Sequence, residues 1–168
     1  GLRTVKGTAL PMSLYYHSLT KDYTVYMVSR KRELPEGYGT RDMARDLKAA
    51  MAELGIESAS LVGVSMGGMI AQHFAAEYPE LVEKLVLVVT CARENPILLE
   101  SLEEWMACAR AGDHTALMDS NLRRIYSERY YRRNKWMVPI TGTLMKPKSY
   151  DRFFTQAQAC LTHDAFDR

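Results

Sequence analysis

The sequence predicts an α/β fold, a parallel sheet with a layer of helices inserted over it. Three observations predict it. Strand-like and helix-like patterns alternate between Tyr23 and Thr90. The run Lys84–Thr90 (KLVLVVT) is almost uninterrupted apolar sequence, as expected of a parallel strand covered on both faces. From Pro96 onward the pattern turns helical and more polar, and no strand-like run follows Val89.

Each element has its own local reason. Gly1–Lys6 is ambiguous, and Lys6–Pro11 reads as a loop because Gly7 and Pro11 punctuate it. Met12–Thr20 is read as a short helix. Tyr23–Ser29 (YTVYMVS) is rich in aromatic and β-branched residues and is expected to be a strand. Arg30–Gly39 is a polar loop. Thr40 is the expected N-cap of the next helix, with Asp42 and Asp46 early in it. Met43, Leu47, Ala50, Met51 and Leu54 recur at spacings of three and four and so form one apolar face. Gly55 stops that helix. Ser60–Val64 (SLVGV) is a buried strand, Met66–Tyr78 a helix closed by Pro79, and Lys84–Thr90 the last strand.

Beyond Pro96, Leu98, Leu102, Trp105, Met106 and Ala109 keep helical spacing until Gly112-Asp113 breaks it. Ala116–Arg133 resumes the helix, Pro139–Pro147 reads as a loop, and Tyr150–Leu161 as a final helix.

Composition narrows the function classes. The 168 residues suffice for one domain with a real core, and 47% hydrophobic with 25% charged residues is ordinary globular composition. A net charge of +2 supplies no field for a polyanion. Tyr126–Trp136 (YSERYYRRNKW) interleaves aromatic and basic residues, yet Glu128 interrupts it, and an amphipathic helix accounts for it better than nucleic-acid binding. No apolar stretch is long enough for a membrane span, and no leader pattern opens the chain. Cys91, Cys108 and Cys160 are odd in number and widely spaced, which suits a reducing compartment and offers no metal pattern. The expected address is the cytoplasm.

The stretch GVSMGG, residues 63–68, carries the chemistry. A serine hydroxyl becomes a nucleophile only when a base takes its proton and the side chain stands exposed. A sharp strand-to-helix turn exposes it, and glycines two before and two after, Gly63 and Gly67, relieve the crowding of that turn. Ser65 is the candidate nucleophile. The backbone N–H of Met66, at the helix N-terminus, is the natural oxyanion donor.

Residues 61–90, LVGVSMGGMIAQHFAAEYPELVEKLVLVVT, resemble the nucleophile elbow, following helix and next strand of the α/β-hydrolases. Tyr23–Gly55 is similar to the strand and helix before that elbow, and the stretch after Pro96 to the family's cap. The resemblance implies a partial doubly wound parallel sheet of α/β-hydrolase type with an inserted helical cap. Residues 1–95 would be the partial core, 96–160 the cap, and 161–168 a truncated return toward the core. It implies a serine hydrolase of esterase or enol-lactonase type, acting on an ester, lactone or related acyl substrate, with no metal and no organic cofactor. In that family the acid and then the histidine follow the nucleophile on later strands. Their absence, together with the few strands ahead of Tyr23, suggests a fragment lacking N-terminal strands and the C-terminal acid and histidine. The second oxyanion donor would come from Gly7-Thr8-Ala9, with Thr8 or Ala9 donating.

The remaining histidines are weighed as bases. His73 lies on the same helix as Ser65, about 12 Å along its axis, and cannot reach the hydroxyl. His17 falls in the first short helix. His114 follows a turn in the cap, where it caps the turn or touches substrate. His163 and Asp164 are sequence neighbours and point apart on a helix. Glu94 and Asp113 are the alternative acids. Met66 and Met69 suit a core or the lining of an acyl pocket.

Three functions stay open: a hydrolase whose base and acid lie elsewhere, an acyltransferase using the same acyl-enzyme, and a non-catalytic module binding a small ligand or partner. Neither nucleic acid nor membrane is an expected partner. Open sheet edges invite self-association.

Overall fold

The computed structural model describes residues 9–166. Its order is α1 (Ala9–Tyr15), α2 (Thr40–Glu53), β1 (Ala59–Val64), α3 (Met66–Glu77), β2 (Val82–Val88), α4 (Pro96–Arg110), α5 (His114–Ile125), α6 (Glu128–Asn134), α7 (Val138–Leu144) and α8 (Asp151–Leu161), with short 3-10 turns before β2 and between α6 and α7. β1 and β2 form a parallel pair, with Val62 opposite Val86 and Val64 opposite Val88. α3 is the crossover between them, as a parallel connection requires.

Two apolar clusters hold the elements together. The first joins α2, α3 and the inner face of β1 through Met43, Ala44, Met51, Ile70 and Phe74, with Leu61 and Ala59 packed against it. The second joins α3, α4 and α8 through Met69, Leu102, Met106, Ala157 and Cys160. α3 belongs to both, so it is apolar on most of its surface, as a helix between two layers must be. Met69 is buried in the second cluster and Met66 packs against both.

The helical layer beyond Pro96 is bound together by polar contacts as well. Trp105 Nε1 donates to Ser120 Oγ at 3.0 Å, and the Arg124 guanidinium bridges Glu100 and Glu104. The Arg124 hydrogen bond holds the Glu104 carboxyl below its usual range. At Gly142 a Cβ would lie 2.6 Å from Thr115 Oγ1, so glycine is what lets α7 approach α5.

Several elements differ from expectation. Tyr23–Ser29 forms no strand and pairs with none among the described residues. Tyr26 and Val28 line a groove of about 560 Å³ together with Ser60 and Val62 of β1 and Leu47 and Ala50 of α2. A strand exists only through a ladder partner, and sequence preference cannot supply one. The first helix runs Ala9–Tyr15, so it starts three residues before the expected stretch Met12–Thr20 and ends within it. The N-cap of α2 is Gly39, whose N–H donates to Asp42 Oδ2 at 3.0 Å; Thr40 is the first helical residue and its hydroxyl is used elsewhere. The helix expected over 116–133 is two, because Ser127 caps a new start by accepting from Tyr130 N. Pro139 does not open a loop: it occupies the first turn of α7, where a missing N–H costs nothing. β2, expected to be covered on both faces, leaves Leu85–Val88 substantially exposed.

Candidate active site

β1 ends at Val64 and α3 begins at Met66, so Ser65 alone makes the turn. Its backbone lies at φ 54°, ψ −124°, a left-handed conformation that L-residues avoid. The turn is fixed from both sides. Ser65 N donates to Val88 O at 2.9 Å, and Ser65 O accepts from Gly68 N at 2.8 Å and Met69 N at 3.3 Å. The side chain does not cap α3 and makes no hydrogen bond among the described residues, so Ser65 stands exposed at the end of the sheet. Met66 N–H, at the first position of a 12-residue helix, meets no backbone acceptor among the described residues. The positive end of the helix therefore faces the space beside the hydroxyl.

The glycines divide differently from the simple motif. A Cβ at Gly63 would lie 2.6 Å from Gly68 Cα, and a Cβ at Gly68 would lie 2.6 Å from Thr90 Cβ. A Cβ at Gly67 would meet no described atom within 4 Å. The close approach of strand, helix and the loop after β2 thus rests on Gly63 and Gly68. The Gly-Gly doublet at 67–68 was the available signal for the second of these.

The histidines do not converge on Ser65. His73 is buried on α3, and its ring packs edge-on against His163 with centroids 4.9 Å apart. His163 is 1% exposed, and its Nδ1 is hydrogen-bonded to Thr40 Oγ1 at 2.9 Å. Burial, reinforced by the neighbouring His73, pushes the His163 imidazole down to about 4, so it is neutral at pH 7; Asp164 and Glu94 oppose that only partly. Asp164 does not orient His163: its Oδ1 accepts from Phe166 N at 2.9 Å, and its backbone bridges to Arg93. His114 is buried in the helical layer beside Tyr150. His17 is exposed beyond α1, and Glu94 is exposed after β2. Asp113 caps α5 by accepting from Ala116 N at 2.8 Å. Thr8, the proposed second oxyanion donor, lies outside the described residues.

No group of three or more metal-ligating side chains gathers among the described residues. All three cysteines are free thiols, and burial pushes Cys160 up to about 11. No helix among the described residues is long and apolar enough to cross a membrane.

The family model described as the alpha/beta hydrolase fold matches residues 21–153, most of the chain. The chain belongs to the α/β-hydrolase fold family. Among solved structures, an α/β-hydrolase enzyme from a Medee basin deep-sea metagenome library superposes with a TM-score of 0.77 at 24% identity, covering 92% of this chain and 62% of that one. Curated relatives match over shorter stretches. A homoserine O-acetyltransferase of Thermus thermophilus is 46% identical over 56 residues, which is 33% of this chain and 15% of the relative. A 2-hydroxy-6-oxo-6-phenylhexa-2,4-dienoate hydrolase of Comamonas testosteroni is 56% identical over 45 residues, 27% of this chain and 16% of the relative. This α/β-hydrolase chain thus spans less than two thirds of the length of each of these three proteins.

Proposed function

We propose that Ser65 is the nucleophile of a serine-dependent α/β-hydrolase acting on an ester, lactone or related acyl substrate. Its hydroxyl oxygen attacks the carbonyl carbon, its proton passes to a base, and the carbonyl oxygen becomes an oxyanion. The Met66 N–H and a second donor from Gly7-Thr8-Ala9 hold that oxyanion, and residues 96–160 serve as the cap that shapes the acyl pocket. One observation carries the reading: the only residue of the β1–α3 turn is a serine in a strained left-handed backbone with an unused, exposed hydroxyl. Strain of roughly 1–3 kcal/mol persists where a function needs the geometry.

The base and the acid come from outside the described residues. His73 and His163 are engaged with each other and with Thr40, and His114 belongs to the helical layer. The 168-residue chain alone therefore has little turnover. Its free cysteines suit a cytoplasmic address.

The likeness to homoserine O-acetyltransferases favours a second reading, in which an alcohol replaces water as the acceptor of the same acyl-enzyme. A fluorophosphonate probe tests the shared first step. In a longer polypeptide carrying this sequence, labelling should vanish with Ser65→Ala; persistent labelling would remove Ser65 from the mechanism. On the 168-residue chain labelling should be slow, and rapid Ser65-dependent labelling would show that the base is already present. Hydrolysis against transfer is then separated by adding an alcohol acceptor and following which product forms.

A further inference from the structure

β1 and β2 end on the same rung, with Val64 opposite Val88, and the next residue of each chain segment is left-handed. Ser65 lies at φ 54° and Val89 at φ 45°, and among the described residues no other non-glycine residue has a positive φ. For a β-branched residue that backbone is an outlier, and it persists only where the surroundings fix it. Ser65 uses its turn to expose a hydroxyl. The turn at Val89 has a different result: it ends β2 and brings Thr90 onto the first turn of α3.

The contact made there is close. A Cβ at Gly68 would lie 2.6 Å from both Cβ and Cγ2 of Thr90 and 2.7 Å from its Oγ1, so the Thr90 side chain rests directly on the Cα of Gly68. On the strand side, a Cβ at Gly63 would lie 2.6 Å from that same Gly68 Cα. Gly68 is thus gripped between β1 and the segment that follows β2. One turn further along the same face of α3, Gln72 Nε2 donates to Cys91 O at 3.1 Å. Residues 89–91 therefore form a strap along α3, anchored at Gly68 and at Gln72.

The strap holds the peptide on which the chemistry depends. Gly68 N donates to Ser65 O at 2.8 Å and closes the turn that contains the Met66 N–H. A shift of the first turn of α3 moves that N–H relative to the Ser65 hydroxyl. An oxyanion donor is effective only when it is aimed in advance at the developing charge. A misplacement of about 1 Å at a reacting group can cost on the order of 100-fold in rate.

We propose that Thr90 is a positioning residue of the Ser65 site: delivered by the left-handed turn at Val89, its side chain wedges the first turn of α3 so that the Met66 N–H points at the oxyanion. The proposal rests on the assignment of Ser65 as the nucleophile. Thr90 acts by shape and through Gly68.

The test uses a fluorophosphonate probe on a longer polypeptide carrying this sequence, because the P=O oxygen of the probe takes the place of the oxyanion. Labelling rates measured against probe concentration separate binding of the probe from the first-order bond-forming step. Thr90→Ala removes the wedge and should slow that step by roughly 10–100-fold, with the half-saturating probe concentration little changed. Thr90→Val keeps the shape without the hydroxyl and should restore most of the rate. Thr90→Ser keeps the hydroxyl without the methyl and should fall between them. Only folded protein is labelled, so a loss of stability lowers the final extent of labelling and leaves the rate constant in place. If Thr90→Ala does not fold, the other two variants decide: Thr90→Ser slower than Thr90→Val supports the wedge, and the reverse order assigns the effect to the hydroxyl and overturns it. A change confined to half-saturation would make Thr90 a binding residue and overturn the proposal too. Labelling that survives Ser65→Ala removes the nucleophile, and the proposal falls with it. Labelling that needs Ser65 and ignores Thr90→Ala overturns this proposal alone.

Discussion

Gly63 and Gly68 touch backbone to backbone: a Cβ on Gly63 would sit 2.6 Å from Gly68 Cα. That contact seats α3 against the end of β1 and leaves Ser65 as the residue that must turn. The strain at Ser65 is thus a consequence of how closely strand and helix approach.

The two glycines of the motif should therefore behave differently on substitution. Gly63→Ala drives a methyl into backbone that cannot step aside, and should cost about 1–3 kcal/mol or more. Gly67→Ala meets no described atom and lies in helix, where alanine is favoured by roughly 0.5–1 kcal/mol, so it should be neutral or stabilising. Thermal or urea unfolding of both variants checks this. Equal losses at the two positions would refute the assignment of the close contact to Gly63.

Ser65 itself should trade stability for function. Its hydroxyl bonds to nothing in the described structure, so Ser65→Ala should change stability little. Ser65→Gly relieves the positive φ and should raise stability by about 1 kcal/mol over Ser65→Ala, at the expense of fluorophosphonate reactivity. An unfolding midpoint for Ser65→Gly at or below that of Ser65→Ala would show that the backbone is not strained there.

What was legible in the sequence was local. The GVSMGG turn, β1, α3 and the face of α2 with Met43, Leu47 and Met51 follow from spacing and turn chemistry within a few residues. What was not legible depends on distant partners. Tyr23–Ser29 has the composition of a strand, but a strand needs a ladder partner, and among the described residues it has none. The Thr40–His163 hydrogen bond joins residues 123 apart, and no local pattern foretells it. Proline ends helices and also starts them, so Pro139 by itself does not tell a loop from the first turn of α7.

Arg152 gives a third prediction. Its guanidinium donates to the backbone carbonyls of Arg30, Lys31 and Arg32 at 2.7–3.0 Å, fastening the stretch after Tyr23–Ser29 to α8. Arg152→Gln cannot span three carbonyls. It should cost about 1–3 kcal/mol and leave the stretch open to local unfolding. Arg30, Lys31 and Arg32 are all trypsin sites, so limited proteolysis reads the change directly. Cleavage there should become faster than in the unsubstituted chain while cleavage elsewhere keeps its rate. Unchanged cleavage would mean that α8 does not hold this loop.

His163 gives the last, through pH. Its folded-state value of about 4 lies below the ordinary 6.5, because burial penalises the imidazolium and His73 packs against it. The fold thus favours the neutral ring. The stabilisation is fully present above pH 6.5 and is lost as pH falls from 6.5 toward 4, because the unfolded chain takes up a proton that the folded chain refuses. Over that window the loss should approach roughly 3 kcal/mol. Carboxylates titrate near the lower end, so the informative quantity is a difference between proteins. His163→Gln keeps a partner for the Thr40 hydroxyl and cannot be protonated. It should be less stable than the unsubstituted chain at pH 7, and the gap should shrink steadily as the pH approaches 4. Denaturant unfolding at half-unit pH steps measures both curves, and parallel curves would show that the buried imidazole does not set the acid sensitivity of the fold.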